Sequence, residues 1–214
     1  MTSEEVVIRT VDGLELEAVV DEPDDPLRAL VLCHPHPKMG GTMNAPLLCA
    51  LKDRLVSEAW SVLRFNFRGI GSSEGEPGTG IDEVRDAEGA VSVMRERYAQ
   101  MSLAIGGWSF GAAVAVRTAA THPDLAACVG VAPAVNEREG VTAGLPDPES
   151  LELDVPTLFV CAANDHLVSI QDCRDWASAV GGAEVVEVSG ANHFFWGKYD
   201  ALSEAVAKWL DSVV

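Results

Sequence analysis

Two spacings of apolar residues alternate along this chain. Compact runs at residues 29–33, 61–67, 103–106, 125–131, 157–162 and 183–188 have the length and apolar content of buried strands. Between them, apolar positions recur at helical spacing. Leu47, Leu48, Leu51, Leu55 and Val56 form one such stripe, with Asn44 as its candidate N-cap and Lys52, Asp53 and Arg54 on the outer face. Val84, Ala87, Val91 and Met94 form a second within residues 81–98, and helices are likewise predicted over 112–120, 170–180 and 201–210. Ahead of these, residues 6–10 and 14–20 flank Asp12-Gly13, which predicts an opening antiparallel hairpin with a two-residue turn.

Such alternation implies an α/β fold, a mostly parallel sheet of about seven or eight strands with helices on both faces. A chain of 214 residues suffices for one well-buried domain, and no Pro/Gly/Ser linker divides it, so residues 1–214 are read as a single domain. The one long irregular region, residues 133–156, is too short and polar for a large lid, which predicts an open site.

Charge and composition narrow the partners. A formal net charge of −18 disfavours nucleic acid and anionic membrane, and because the acids are scattered it reads first as a solubility feature. No apolar run approaches the ~18 residues needed to span a bilayer. The acidic start, Met1-Thr2-Ser3-Glu4-Glu5, lacks the features of an export signal, so a cytoplasmic address is expected. Five widely spread cysteines, an odd number, read as buried reduced thiols and not as a disulfide framework.

Candidate chemistry centres on Gly107-Trp108-Ser109-Phe110-Gly111, between the run at 103–106 and the alanine-rich helix at 112–120. A strand entering a helix within so few residues forces a sharp turn at Ser109. Glycine on either side leaves room for it, since a Cβ there would press on the joined strand or helix. The turn lifts the hydroxyl clear of the sheet and aims the first helical N–H groups at whatever binds there. Taken alone, the five-residue string equally describes a glycine-rich connection without chemistry.

A serine needs a base, and the chain holds five histidines. His122 follows the helix after the serine turn and falls at the opposite end of the sheet. His34, His36, His166 and His193 all follow predicted strands, and His193 stands alone after the last one in a Gly-Ala-Asn-His turn. The acid must also sit at a strand's carboxyl end; Asp165 does, whereas Asp154 precedes that strand and Asp172 lies in the next helix. The candidate set is Ser109, Asp165 and His193.

That order, with each residue after its own strand, resembles the α/β-hydrolase family. More narrowly, the chain resembles small lidless bacterial hydrolases related to dienelactone hydrolases. The likeness rests on His34 to Pro37 with Gly40-Gly41, on Arg68 to Ser73 and on Gly190 to Phe195, and it extends from about residue 28 to 210. Dienelactone hydrolases proper use a cysteine nucleophile, so their substrate does not carry over to Ser109. The resemblance implies an oxyanion hole built from the Phe110 N–H and a backbone N–H of the 34–41 loop. Pro35 and Pro37 have none, His36 is the first candidate and Met39 the second.

Other readings compete at three places. His34 and His36 offer too few ligands for a metal and read as loop-holding side chains. The Arg68-Gly69-Ile70-Gly71 turn lacks a phosphate-binding fingerprint and reads as structural. Trp108, Phe194, Phe195 and Trp196 are candidate walls of an apolar acyl pocket, with ordinary core packing as the alternative. The expectation is a cofactor-free, metal-free serine hydrolase of carboxylic esters or related acyl compounds, acting on a small molecule as a monomer or small homo-oligomer. A non-catalytic binding protein on the same fold is the alternative, and peptidase, thioesterase or acyltransferase activity would use the same residues.

Overall fold

The computed structural model describes residues 1–214. The chain opens with β1 (Thr2–Arg9), β2 (Glu15–Glu22) and β3 (Arg28–Cys33), followed by α1 (Pro46–Ser57), β4 (Trp60–Phe65), α2 (Glu83–Arg97) and β5 (Ser102–Trp108). The second half continues with α3 (Phe110–Thr121), β6 (Ala127–Val131), β7 (Thr157–Ala162), α4 (Ile170–Val180), β8 (Ala183–Val188) and α5 (Tyr199–Val213). All eight strands join one sheet in the order β1-β2-β4-β3-β5-β6-β7-β8. β1 with β2 and β2 with β4 are antiparallel, and every other pair is parallel.

The sheet is covered on both faces. One core of 31 buried residues lies under α2, α3 and α4, and one of 26 under α1 and α5, sizes close enough that neither face is left for solvent. This is why β4, β6 and β7 are buried at every position and mostly apolar on both faces, with Ser61, Arg64 and Thr157 as buried polar exceptions. The edge strand β8 instead carries the exposed Glu184 and Glu187, charges suited to an unpaired sheet edge.

Three local expectations need correction. The opening hairpin has a five-residue connection and longer strands, paired from Thr2↔Glu22 to Arg9↔Glu15. Thr10 closes it, its carbonyl accepting the Gly13 N–H at 2.9 Å and its hydroxyl the Leu14 N–H at 2.9 Å. Asn44 does not cap α1: the cap is Ala45, with Pro46 opening the helix, and Asn44 Oδ1 accepts from the Arg64 guanidinium at 2.9 Å. Lys52 is buried and not on the outer face. The Arg68 turn is structural, its guanidinium held at 2.7 Å by the buried Asp86 and at 3.0 Å by Asp12.

Candidate active site

A single residue separates β5 from α3. Ser109 sits at φ 56°, ψ −112°, a conformation that costs a non-glycine residue roughly 1–3 kcal/mol. Its neighbours hold it there. The Ser109 N–H donates to Val131 O at 2.8 Å, and its carbonyl accepts from Ala112, Ala113 and Ala134. A Cβ on Gly107 would lie 2.4 Å from the Gly111 carbonyl, and one on Gly111 would lie 2.4 Å from the carbonyl oxygens of both Cys33 and His34. The turn is therefore pressed against itself and against the end of β3, which leaves no space for a side chain at either glycine.

Asp165 and His193 reach the serine from the ends of β7 and β8. His193 Nε2 is 3.1 Å from Ser109 Oγ, and His193 Nδ1 is 2.7 Å from Asp165 Oδ2. Both side chains are almost wholly buried. Asp165 Oδ1 also accepts the N–H groups of Leu167 at 2.8 Å and Val168 at 2.9 Å. Burial pushes the Asp165 carboxyl up, but the His193 bond and these two N–H groups outweigh it and hold its pKa below the usual value. An ionised Asp165 fixes the His193 proton on Nδ1, so Nε2 faces the serine as an acceptor. His166 is exposed and makes none of these bonds. The main chain of His193 is tied down as well, its carbonyl accepting from Trp108 Nε1 at 3.2 Å.

The loop after β3 turns its own donors inward. Lys38 N–H donates to His36 Nδ1, Met39 and Gly41 N–H to His36 O, and Gly40 N–H to Pro37 O. Met39 is thereby removed from the candidate donors, because its N–H is spent closing a one-turn 3₁₀ helix at Pro37–Met39. The N–H groups of His36 and of Phe110, at the start of α3, make no hydrogen bond within the protein.

Both imidazoles of this loop are committed to backbone. His34 donates from Nδ1 to Pro35 O at 2.6 Å and accepts the Phe67 N–H on Nε2 at 3.0 Å, an arrangement only the neutral ring can make. Burial lowers its pKa to about 4. His36 accepts from Lys38 and donates from Nε2 to Val141 O at 2.9 Å, tying the loop to the irregular segment after β6. That carbonyl has no side-chain signature and was not legible beforehand.

Ser109, His193, His36, Met39, Phe110, Trp108 and Phe194 all line one open cavity of about 380 Å³, with Asp165 behind His193. Ala134, Val135, Val141, Leu167 and Val168 add apolar lining to it. Phe195, one of the expected wall residues, is instead fully buried in the core under α1 and α5. All five cysteines are free thiols, four of them buried. No helix is long and apolar enough to cross a membrane.

A family model described as serine aminopeptidase, S33, matches residues 24–151. An uncharacterised protein of Rickettsia prowazekii is 30% identical over 204 residues, which cover 92% of this chain and 83% of that one. Among solved structures, an α/β serine hydrolase homologue from Coxiella burnetii superposes with a TM-score of 0.85 at 30% identity, covering 97% of both chains. An α/β serine hydrolase without a lid from Xanthomonas campestris gives 0.85 at 26% identity, covering 98% of this chain and 95% of the other. The Pyrococcus furiosus esterase Pf2001 shares the fold, with a TM-score of 0.83 at 17% identity and coverage of 99% and 93%. The matched family segment includes Ser109 and ends before Asp165 and His193.

Proposed function

The chain belongs to the α/β-hydrolase superfamily, in the family described as serine aminopeptidase S33 and among small lidless hydrolases, and on that footing we propose that it is a serine hydrolase of carboxylic esters or related acyl compounds. The observation that carries this reading is the unbroken path from Asp165 through His193 to Ser109 Oγ, with separations of 2.7 and 3.1 Å. In this reading His193 Nε2 takes the Ser109 proton as Oγ attacks the substrate carbonyl. The imidazolium is stabilised by Asp165. The tetrahedral oxyanion lies against the unengaged N–H groups of Phe110 and His36, each worth on the order of 3 kcal/mol in the transition state. His193 then gives the proton to the leaving oxygen as the C–O bond breaks, and water, activated by the same imidazole, frees the acyl group. Trp108 and Phe194 contact the substrate from the cavity wall. No cofactor enters these steps, and a small-molecule substrate suits the open cavity.

Purified wild-type protein is expected to hydrolyse p-nitrophenyl acetate and to label with a fluorophosphonate. Ser109→Ala should lose both, and His193→Ala should label at least 10³-fold more slowly. Turnover retained by Ser109→Ala would sink the reading. The family description brings peptide bonds into range, so the same assay on aminoacyl p-nitroanilides decides between ester and amide.

A further inference from the structure

Of six phenylalanines and five tryptophans, only Phe194 and Trp196 are exposed, Trp196 to 66%. They are not stray surface residues. Phe195, between them, has φ +51° with its side chain fully buried, so it anchors the turn inward while its neighbours stand outside. The turn is closed by Phe195 N–H to Asn192 O at 2.9 Å, Phe194 N–H to Asn192 Oδ1 at 3.1 Å and Lys198 N–H to Phe195 O at 2.9 Å. A left-handed phenylalanine is a strained residue, and what it presents is an aromatic pair to water.

The pair is ordered. The Phe194 and Trp196 rings stack 4.9 Å apart with their planes 15° from parallel. Carbon atoms in contact sit about 3.5 Å apart, so the rings are offset and each leaves part of a face open. Phe194 lines the cavity and stands edge-on to the His193 imidazole at 5.6 Å and to Trp108 at 6.0 Å. Trp196 continues this apolar ledge beyond the cavity.

Proton transfer decides which part of a substrate meets the ledge. The leaving oxygen must come within about 3 Å of His193 Nε2 to receive its proton. The carbonyl oxygen points elsewhere, to the Phe110 and His36 N–H groups, whose own rings pack 5.0 Å apart. The first carbons of the leaving group therefore start beside Phe194. Resting on the hydrolase reading above, we propose that Phe194 and Trp196 form a leaving-group subsite, and that the substrate is an ester of an apolar alcohol whose chain lies along this ledge.

Hexyl acetate and methyl heptanoate are isomers that carry the chain on opposite sides of the ester. In the full-length protein, Trp196→Ser should lower the ratio of kcat/KM for hexyl acetate to that for methyl heptanoate about tenfold, through KM, with an unchanged melting temperature. An unchanged ratio, or one that rises because methyl heptanoate is the substrate that suffers, overturns the assignment. So does binding of the protein to phosphatidylcholine vesicles that Trp196→Ser abolishes while the ratio stays put. A second measurement needs no turnover: saturation-transfer NMR of 1-hexanol on Ser109→Ala, with and without Trp196→Ser. Hexanol signal lost only with the tryptophan supports the ledge even if no ester is cleaved, in which case the hydrolase reading alone fails. Signal that persists without the tryptophan removes the ledge.

Discussion

Replacing Gly111 by alanine tests whether the serine turn and the loop after β3 form one mechanical unit. The added Cβ would lie 2.4 Å from two carbonyl oxygens, Cys33 O and His34 O, and 2.6 Å from Cys33 C. An ordinary carbon–oxygen contact is about 3.3 Å, so something must yield by about 1 Å. All three atoms are backbone at the end of β3, a central strand flanked by β4 and β5, so no side chain can rotate away. Overpacking of this kind costs about 3 kcal/mol, which in a domain of this size lowers Tm by about 6–12 °C. The displaced segment leads straight into His36, and a donor misplaced by about 1 Å costs about 10²-fold in kcat. Thermal melting followed by circular dichroism reads the first effect, and p-nitrophenyl acetate turnover at 25 °C reads the second. Gly182→Ala is the control: nothing lies within 4 Å of its Cβ position and its φ is ordinary, so both quantities should stay at wild-type values. Gly111→Ala with unchanged Tm and kcat would refute the claim that the glycine is there for close packing against β3.

Two further outcomes follow from the site. Ser109→Gly should abolish ester turnover yet raise Tm by a few degrees, because glycine relieves about 1 kcal/mol or more of strain at φ 56°; a lower Tm would mean the serine side chain contributes more than its backbone costs. His34 is neutral in the fold with a pKa of about 4 against an ordinary 6.5, so the unfolded chain binds the extra proton between those values and stability falls as pH drops through that window. The loss amounts to about 3 kcal/mol by pH 4, and guanidinium titrations across pH 4–7 should show a shallower fall in His34→Gln than in wild type.

The parts of the fold legible in the sequence are those where one physical demand dominates. A sheet covered on both faces needs strands that are largely apolar on both sides, and the runs containing Leu30, Val62, Ile105, Val129 and Val160 announce themselves. Once strand ends are known, Ser109, Asp165 and His193 fall on one rim. Asn44 misled because a good capping side chain was drawn away by the buried Arg64, a tertiary partner no local window contains. Phe194, Phe195 and Trp196 are equally apolar in sequence. Only the left-handed backbone at Phe195 sorts them into one anchor and two exposed rings.

The second oxyanion donor of the proposed mechanism shows how an ambiguity of sequence narrows under hydrogen-bond accounting. Position in the chain left His36 and Met39 both available. Backbone N–H groups that are not held by protein or water are costly, so a tight loop spends its donors on itself where it can. Here Lys38, Met39, Gly40 and Gly41 do so, which also makes the loop rigid. Pro35 and Pro37 contribute no N–H. Between the prolines His36 is left with its N–H unspent, while its ring, fixed at both nitrogens by Lys38 and Val141, keeps that peptide from turning away. The two prolines thus have a use beyond breaking regular structure. In the proposed mechanism they clear competing donors from either side of the N–H that joins that of Phe110 at the oxyanion.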